Sequence, residues 1–407
     1  MHFTGVKEYS KVGIISNNRW EWATIASATY SLNATLVPMY EAQLPADWSY
    51  IINDSGCDAL FCANQDIYDR CKLEVLPQTP TVKAALCFDA GEGEDHAFAT
   101  HMKTASQRIE NGEDPSSSIL LPTQEDLANL VYTSGTTGKP KGVELTHSNT
   151  VSNVKGVRNM VEDVQDFIRE DDVSLAFLPW AHSYGQTCEL WVAMAHGGSM
   201  GICRGVPSIL EDLQLVRPKV LFAVPTLYKR IYDGVHNLIE NSSPVRKKLM
   251  LKALELGKKN AESKNGEEPM GLIDKIQYKA LDSIVLSKIR DRFGGRLRHG
   301  FVAGAACPSE VINFMDSIGI PICEGYGLTE TSPIIAINTP SDRNPGCVGK
   351  TLPGVEVVIM GEDGAPLPPG EEGEICCYGP NVMRGYYKNK EATEEVISMA
   401  PDGRSRL

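Results

Sequence analysis

Short apolar runs alternate with segments of helical spacing along the first third of the chain. Residues 12–16 read as a buried strand, and Trp20, Trp22, Ile25 and Ala26 then recur at a spacing that indicates a helix. The same alternation continues, with apolar runs at 34–40, 59–62 and 84–88 and helical spacing at 47–53. Strands that alternate with helices form largely parallel sheets, so the pattern predicts an α/β fold.

The pattern changes twice further along the chain. Residues 245–288 are rich in lysine and glutamate, with Leu249, Ala253 and Leu256 at helical spacing, which predicts a solvated amphipathic helical insertion. Beyond residue 346, short apolar runs at 355–360 and 373–379 are separated by glycine and proline turns. This region therefore predicts a small β-structure.

Composition narrows the class of protein. The 407 residues are 42% hydrophobic and carry a net charge of −13, which disfavours a nucleic-acid partner. No apolar run approaches the roughly 18–20 residues that span a membrane, and residues 1–9 lack the apolar segment of a secretory signal. The eleven cysteines are scattered without zinc-type spacing, so we expect reduced thiols in an intracellular protein.

One glycine-rich stretch is the strongest candidate for chemistry. Residues 132–142 read Tyr-Thr-Ser-Gly-Thr-Thr-Gly-Lys-Pro-Lys-Gly and follow an apolar run at 127–131. Glycines let the backbone N–H groups approach an anion, hydroxyls donate hydrogen bonds, and lysines supply charge. An ordinary surface turn is the alternative, but this combination favours a polyphosphate loop. It differs from the P-loop, because Pro140 follows Lys139 where that motif has Ser or Thr.

A second stretch, residues 320–331, reads Ile-Pro-Ile-Cys-Glu-Gly-Tyr-Gly-Leu-Thr-Glu-Thr. Glycines on either side of Tyr326 leave room for its ring to stack on a base, and Thr329 and Glu330 follow at once. A carboxylate beside a triphosphate requires a divalent cation between them, and Mg²⁺ takes one or two carboxylates together with phosphate oxygens. Taken alone, Glu330 would be interpreted as a surface charge.

Residues 133–142 resemble the signature loop of the adenylate-forming, or AMP-binding, superfamily, which includes acyl-CoA synthetases, amino-acid-activating domains and luciferases. The later stretches agree with it in the expected order. The resemblance implies the large N-terminal domain of these enzymes, with two sandwiched α/β subdomains and a small β-barrel subdomain. We place the first subdomain at 1–125, the second, with the phosphate loop and the helical insertion, at 126–340, and an incomplete barrel at 341–407.

The resemblance also implies ATP and Mg²⁺ as ligands and CoA as co-substrate. Tyr326 would contact adenine and Thr329 the α-phosphate, while Thr133 and Glu330 would hold Mg²⁺. Catalytic roles fall to Thr133, His182, Thr329 and Glu330. The implied nucleotide-binding residues are Thr133, Ser134, Gly135, Thr136, Thr137, Gly138, Lys139, Lys141, Gly304, Ala305, Ala306, Glu324, Gly325, Tyr326, Gly327 and Thr329.

The substrate class follows from the stretch around His182. Acyl-CoA synthetases of the superfamily place a similar Pro-x-x-His stretch beside the carboxylate and acyl pocket, whereas amino-acid-activating members use an aspartate there. No acidic residue lies between Trp180 and Cys188, which disfavours an amino acid. Residues 217–227 and the helical insertion resemble long-chain members. We therefore expect activation of a long-chain fatty acid to acyl-AMP and then acyl-CoA, with a shorter or aryl carboxylate, or a non-catalytic binding remnant, as alternatives.

Both ends of the sequence depart from the family pattern. The resemblance implies additional residues before the first strand and a C-terminal lid domain that is absent here, so we expect a truncated chain with weak or no activity. The last residues, Ser405, Arg406 and Leu407, resemble the peroxisomal signal Ser-Lys-Leu. A cytoplasmic or membrane-peripheral location and a peroxisomal one are therefore both retained as expectations.

Overall fold

A computed structural model describes residues 4–114, 119–133, 138–160, 167–266, 268–400 and 404–407. Its strands, in chain order, are β1 (Lys11–Ile15), β2 (Thr35–Met39), β3 (Ala59–Cys62), β4 (Ala84–Cys87), β5 (Leu127–Thr133), β6 (Lys141–Thr146), β7 (Val173–Ala176), β8 (Ser199–Ile202), β9 (Val220–Ala223), β10 (His299–Val302), β11 (Ile322–Gly327), β12 (Ile334–Ile337), β13 (Lys350–Thr351), β14 (Glu356–Met360), β15 (Glu374–Tyr378), β16 (Gly385–Tyr386), β17 (Ser398–Met399) and β18 (Ser405–Arg406).

The α-helices of the same ranges are α1 (Trp20–Ser31), α2 (Pro45–Ser55), α3 (Gln65–Arg70), α4 (Phe98–Glu110), α5 (His147–Asn159), α6 (Val192–Ala195), α7 (Ile209–Val216), α8 (Pro225–Glu240), α9 (Pro244–Lys264), α10 (Leu272–Leu281), α11 (Ser287–Arg290), α12 (Ser309–Ser317) and α13 (Lys390–Val396). The alternation of strands and helices that the apolar pattern predicts is confirmed from β1 to α4.

The first sheet has the strand order β16-β6-β5-β2-β1-β3-β4. Its strands β5, β2, β1, β3 and β4 run parallel to one another, whereas β6 is antiparallel to β5. The two sheets do not divide at residue 125, because β5 extends the first sheet beside β2 through the pair Leu36 and Asn129. Hydrogen bonding thus assigns the strands before and after the glycine-rich stretch, β5 and β6, to the first sheet.

The second sheet has the order β13-β12-β11-β10-β9, with β9, β10 and β11 parallel. The predicted helical insertion is confirmed as α9 to α11, and α9 buries Met250, Ala253 and Leu256 beside this sheet's core. Gly257 permits the contact with α12, since a Cβ there would lie 1.9 Å from the carbonyl oxygen of Ser317. The insertion is therefore packed along one side and solvated along the other.

The carboxy-terminal region forms a four-stranded antiparallel sheet of order β14-β15-β18-β17. In the described residues this sheet occupies the place of the expected barrel, since β13 and β16 leave the region to join the second and first sheets. Leu407 exchanges two backbone hydrogen bonds with Cys377, so the final residues are part of the sheet. Within the described ranges, no helix combines the length and apolar character that crossing a bilayer requires.

Candidate active site

A cavity of about 280 Å³ opens where β11 ends, between the second sheet and the loop that follows β7. One end is polar and is lined by His182, Ser183, Gly304, Tyr326, Thr329 and Glu330. The other end is apolar and is lined by Val157, Phe167, Cys188, Val192, Phe222, Phe301 and Ile337. The cavity therefore pairs hydrogen-bonding groups with an apolar chamber that lies over β9 and β10.

The turn after β11 positions the polar end. Gly327 allows β11 to pass close to the following segment, because a Cβ there would lie 1.8 Å from the carbonyl oxygen of Pro333. Leu328 N–H then donates to Thr331 Oγ1 at 3.0 Å, which fixes the single turn that carries Thr329 and Glu330. The Thr329 hydroxyl lies 3.1 Å from the Ser183 hydroxyl, so this turn is tied to the loop after β7.

His182 is held by a neighbouring backbone group. Tyr184 N–H donates to Nδ1 of His182 at 3.1 Å, so the neutral ring carries its hydrogen on Nε2. The ring reaches solvent on one side, yet the protein atoms packed around it lower the pKa of His182 below its ordinary value. At neutral pH this side chain therefore offers a neutral N–H donor at the cavity wall.

A buried carboxyl group supports the loop that carries His182. Glu189 lies in the π-helical segment Gly185–Trp191, and its Oε2 accepts a hydrogen bond from Trp180 Nε1 at 3.2 Å. Complete burial, without a nearby cation among the described residues, raises the pKa of Glu189 well above its usual range. The hydrogen bond to Glu189 anchors the loop at Trp180, whereas His182 and Ser183 farther along the loop line the cavity.

The glycine-rich stretch connects β5 to β6, which form a hairpin in which Thr133 pairs with Lys141. Ser134, Gly135, Thr136 and Thr137 lie outside the described residues. Lys139 Nζ lies 5.3 Å from the ring centroid of Tyr50, whose hydroxyl donates to the carbonyl of Pro140 at 3.1 Å. Of the described residues in this stretch, Thr133, Gly138, Lys139 and Lys141 do not line the cavity.

Tyr386 connects the hairpin to the polar end of the cavity. Its hydroxyl donates to Glu330 Oε1 at 2.8 Å, and its ring centroid lies 5.0 Å from Lys141 Nζ. Burial and the hydrogen bond to Glu330 raise the pKa of Tyr386 above its ordinary value, so the phenol stays protonated and keeps donating. Neither Tyr386 nor Ser183 is among the site residues that the sequence motifs predict.

Three more of the expected nucleotide-binding residues, Ala305, Ala306 and Glu324, do not line the cavity. Ala305 and Ala306 are exposed beside Gly304. Glu324 is buried and accepts a hydrogen bond from Gly346 N–H at 2.7 Å, and burial raises its pKa. Gly304, Gly325, Tyr326, Gly327 and Thr329 line the cavity together with His182 and Glu330.

The donor set suits a magnesium–nucleotide complex better than a free metal ion. Among the described residues, no group of three or more His, Cys, Asp or Glu side chains is placed to hold a metal. Glu330 supplies one carboxylate at the cavity, and Mg²⁺ is usually bound by one or two carboxylates with phosphate oxygens and water completing its shell. The residues present therefore fit Mg²⁺ that arrives with a polyphosphate.

Comparison with known proteins places this geometry in context. At 31% identity the chain is similar to long chain acyl-CoA synthetase 7, peroxisomal, of Arabidopsis thaliana, with 97% of this chain and 55% of that protein aligned. It is also 31% identical to long-chain-fatty-acid–CoA ligase 6 of Homo sapiens, over 95% and 55% of the two chains. The chain thus spans about half the length of the curated relatives that it matches.

Solved structures agree with the fold. The crystal structure of ATP-bound MatB from Rhodopseudomonas palustris superimposes with a TM-score of 0.70 at 25% identity, covering 99% of this chain and 66% of that one. The AMP-binding enzyme family matches residues 2–387, which include every side chain placed at the cavity above. The chain is a member of the AMP-binding enzyme family.

Proposed function

We propose that the chain binds ATP and a long-chain fatty acid and forms the large domain of an enzyme that converts them to acyl-AMP and then acyl-CoA. The observation that carries this proposal is the continuity of one cavity from Glu330 and Thr329 to an apolar chamber floored by Phe222 and Phe301. A carboxylate whose chain occupies the apolar end has its head group beside the residues that would hold the phosphates.

The polar end suits attack of a carboxylate on the α-phosphate of ATP. Tyr326 offers a ring for the adenine, and the neighbouring Thr329 hydroxyl, aligned by Ser183, offers a donor for the α-phosphate. His182, which carries its hydrogen on Nε2, would donate to the attacking or product oxygen without transferring its proton. Mg²⁺, held by Glu330 with Thr133 as a further ligand, would supply charge neutralisation for the pyrophosphate that leaves.

This reaction requires positioning and charge stabilisation more than a protein nucleophile. A carboxylate oxygen forms a bond to the α-phosphorus, the bond to the bridging oxygen breaks, and pyrophosphate departs. In the second step the CoA thiolate attacks the acyl carbon and AMP departs. The Cys188 thiol at the cavity wall remains protonated at neutral pH, because burial raises its pKa.

A second candidate, an enzyme acting on a shorter or aryl acid, is supported by the rings that bound the apolar end. The ring centroids of Phe222 and Phe301 lie 5.0 Å apart and nearly parallel, and that of Phe167 lies 4.8 Å from that of Phe301. Such walls accept an aromatic acid as readily as an alkyl chain. Each buried methylene contributes about 0.8 kcal/mol, so a series of acids separates the two candidates.

The test is a mass-spectrometric assay of the purified chain with ATP, Mg²⁺ and hexadecanoate, decanoate or benzoate, with and without CoA. Acyl-AMP that forms best with hexadecanoate supports the proposal, and a maximum with benzoate supports the aryl alternative. ATP binding without any adenylate supports a binding remnant. Glu330→Gln keeps the side-chain shape and removes the charge, so it is the matched control for the contribution of that carboxylate.

A further inference from the structure

The segment from Pro380 to Tyr387 connects the two halves of the candidate site. On one side, Met383 N–H donates to the backbone carbonyl of Glu330 at 2.8 Å. On the other, Arg384 N–H donates to the carbonyl of Glu144 at 3.0 Å, and β16 pairs with β6 of the β5–β6 hairpin. We call this segment, residues 380–387, the strap. The strap sets the separation between the turn of Glu330 and the hairpin.

The strap is itself held from a third direction. Asn149 Nδ2 donates to the carbonyl oxygens of Pro380 and Val382 at 2.8 and 2.9 Å, and Asn149 is buried in α5 directly after the hairpin. Tyr387 N–H donates to the carbonyl of Gly142 at 2.8 Å. A side chain carried by the strap is therefore fixed relative to both the hairpin and the turn.

Tyr386 is the strap residue that contacts a functional group on each side. The phenol donates to Glu330 Oε1, whereas Oε2 has no protein partner among the described residues and stays available to a cation. The same ring lies under the Lys141 ammonium in a cation–π contact. Such a contact holds the lysine near the site and is weak enough to yield to a phosphate.

We propose that Tyr386 is a positioning residue that presents Glu330 to magnesium and Lys141 to the phosphates of ATP. This inference rests on the proposed function, since it concerns the same nucleotide. The two parts of the side chain have separate roles, because the hydroxyl orients the carboxylate and the ring holds the ammonium. The rival explanation is that Tyr386 only stabilises the strap.

Two substitutions separate these roles. Tyr386→Phe removes the hydroxyl and keeps the ring, so affinity for ATP with Mg²⁺ should fall about tenfold, while affinity for ATP in EDTA should stay unchanged. Tyr386→Leu removes both, and its affinity for ATP should fall in EDTA as well. Tyr387→Phe is the matched control, because the neighbouring ring contacts Lys11 and Lys388 rather than Glu330 or Lys141, and it should bind as the wild type does.

The experiment is isothermal titration of ATP, in Mg²⁺ and in EDTA, into the full chain and its variants, with thermal unfolding recorded for each. A double variant, Glu330→Gln with Tyr386→Phe, should bind no more weakly in Mg²⁺ than Glu330→Gln alone, because the hydroxyl acts through that carboxylate. If Tyr386→Phe does not fold, Glu330→Gln remains a test, because a carboxylate presented to magnesium requires that its loss lower the affinity for ATP in Mg²⁺ and leave the affinity in EDTA unchanged.

The outcomes are distinct. A Tyr386→Phe variant that binds ATP with Mg²⁺ as tightly as the wild type overturns the inference and leaves the proposed function in place. If Tyr386→Phe loses affinity for ATP equally in Mg²⁺ and in EDTA, the role of Tyr386 is merely structural, and the inference is likewise overturned. A wild-type chain that does not bind ATP at all contradicts the proposed function itself.

Discussion

The hydroxyl oxygens of Ser183 and Thr329 lie 3.1 Å apart, although 146 positions separate the two residues in sequence. This contact joins the loop that carries His182 to the turn that carries Glu330. Both hydroxyls are buried, so neither has water as a ready substitute partner. The two polar walls of the cavity are therefore held in register by one hydrogen bond.

Ser183→Ala should leave Thr329 less well oriented and weaken ATP binding about fivefold, which is the effect of losing one hydrogen bond of about 1 kcal/mol. Isothermal titration of ATP in Mg²⁺ measures the change. Ser287→Ala, at an exposed hydroxyl that donates to the carbonyl of Ser283 one helical turn earlier, is the control and should bind normally. Unchanged affinity in Ser183→Ala would remove the role given to this contact.

His182→Phe should weaken binding of hexadecanoate about tenfold and leave ATP binding unchanged, because it removes the Nε2–H donor and keeps a ring of similar size. Separate titrations of the fatty acid and of ATP report the two effects. His236→Phe, on α8 away from the cavity, controls for loss of a histidine. An equal loss for both ligands in His182→Phe would indicate a general disturbance of the loop.

Gly257→Ala should destabilise the chain by several kcal/mol, roughly 3 or more, because its Cβ would meet the carbonyl oxygen of Ser317 at 1.9 Å and force α9 away from α12. Gly234→Ala, also within a helix but with no atom within 4 Å of its Cβ, should stabilise by about 1 kcal/mol. Urea unfolding of the two variants measures both free energies. Similar values for the pair would contradict the packing described for the insertion.

Acid should destabilise the chain through His299. This buried ring forms a hydrogen bond with the carbonyl of Phe167, and burial, with the nearby Arg298, lowers its pKa to about 4. The unfolded chain takes up this proton near pH 6.5 and the folded chain only near pH 4, so stability is retained above 6.5 and falls between those values. The loss reaches roughly 3 kcal/mol.

The pH effect is measured by urea unfolding across that interval and up to neutral pH. His299→Gln should flatten the profile by the same amount, because it removes the titrating ring. A variant whose free energy of unfolding falls with pH as steeply as the wild type's would assign the effect to other groups.

The sequence pattern predicted strands β1 to β5 of the first sheet, because a short apolar run is a local feature of the chain. The short apolar runs form buried strands such as β2. In the stretch from Gly325 to Glu330, Gly327 allows the close backbone approach that the turn after β11 requires. The sequence also places His182 shortly after a strand, β7, and the loop that follows this strand lines the cavity. Whether these residues bind ATP stays a prediction.

What the pattern could not supply depends on contacts between distant segments. Tyr386 reads as an ordinary aromatic residue, and only the pairing of β16 with β6 brings it to Glu330 and Lys141. Glu324 reads as part of the motif, yet the fold turns its carboxylate to the backbone of Gly346. The membership of β5 in the first sheet was equally hidden, since its partner β2 lies about ninety residues earlier.

The position of β16 at the edge of the first sheet has a consequence for how the chain folds. Gly385 pairs with Glu144, so the edge of the sheet is completed by a strand synthesised roughly 240 residues after its partner. Until that strand arrives, β6 presents unpaired backbone groups that other chains can bind. Assembly of the side of the cavity that carries Glu330 is therefore a late event in folding, and aggregation during synthesis competes with it.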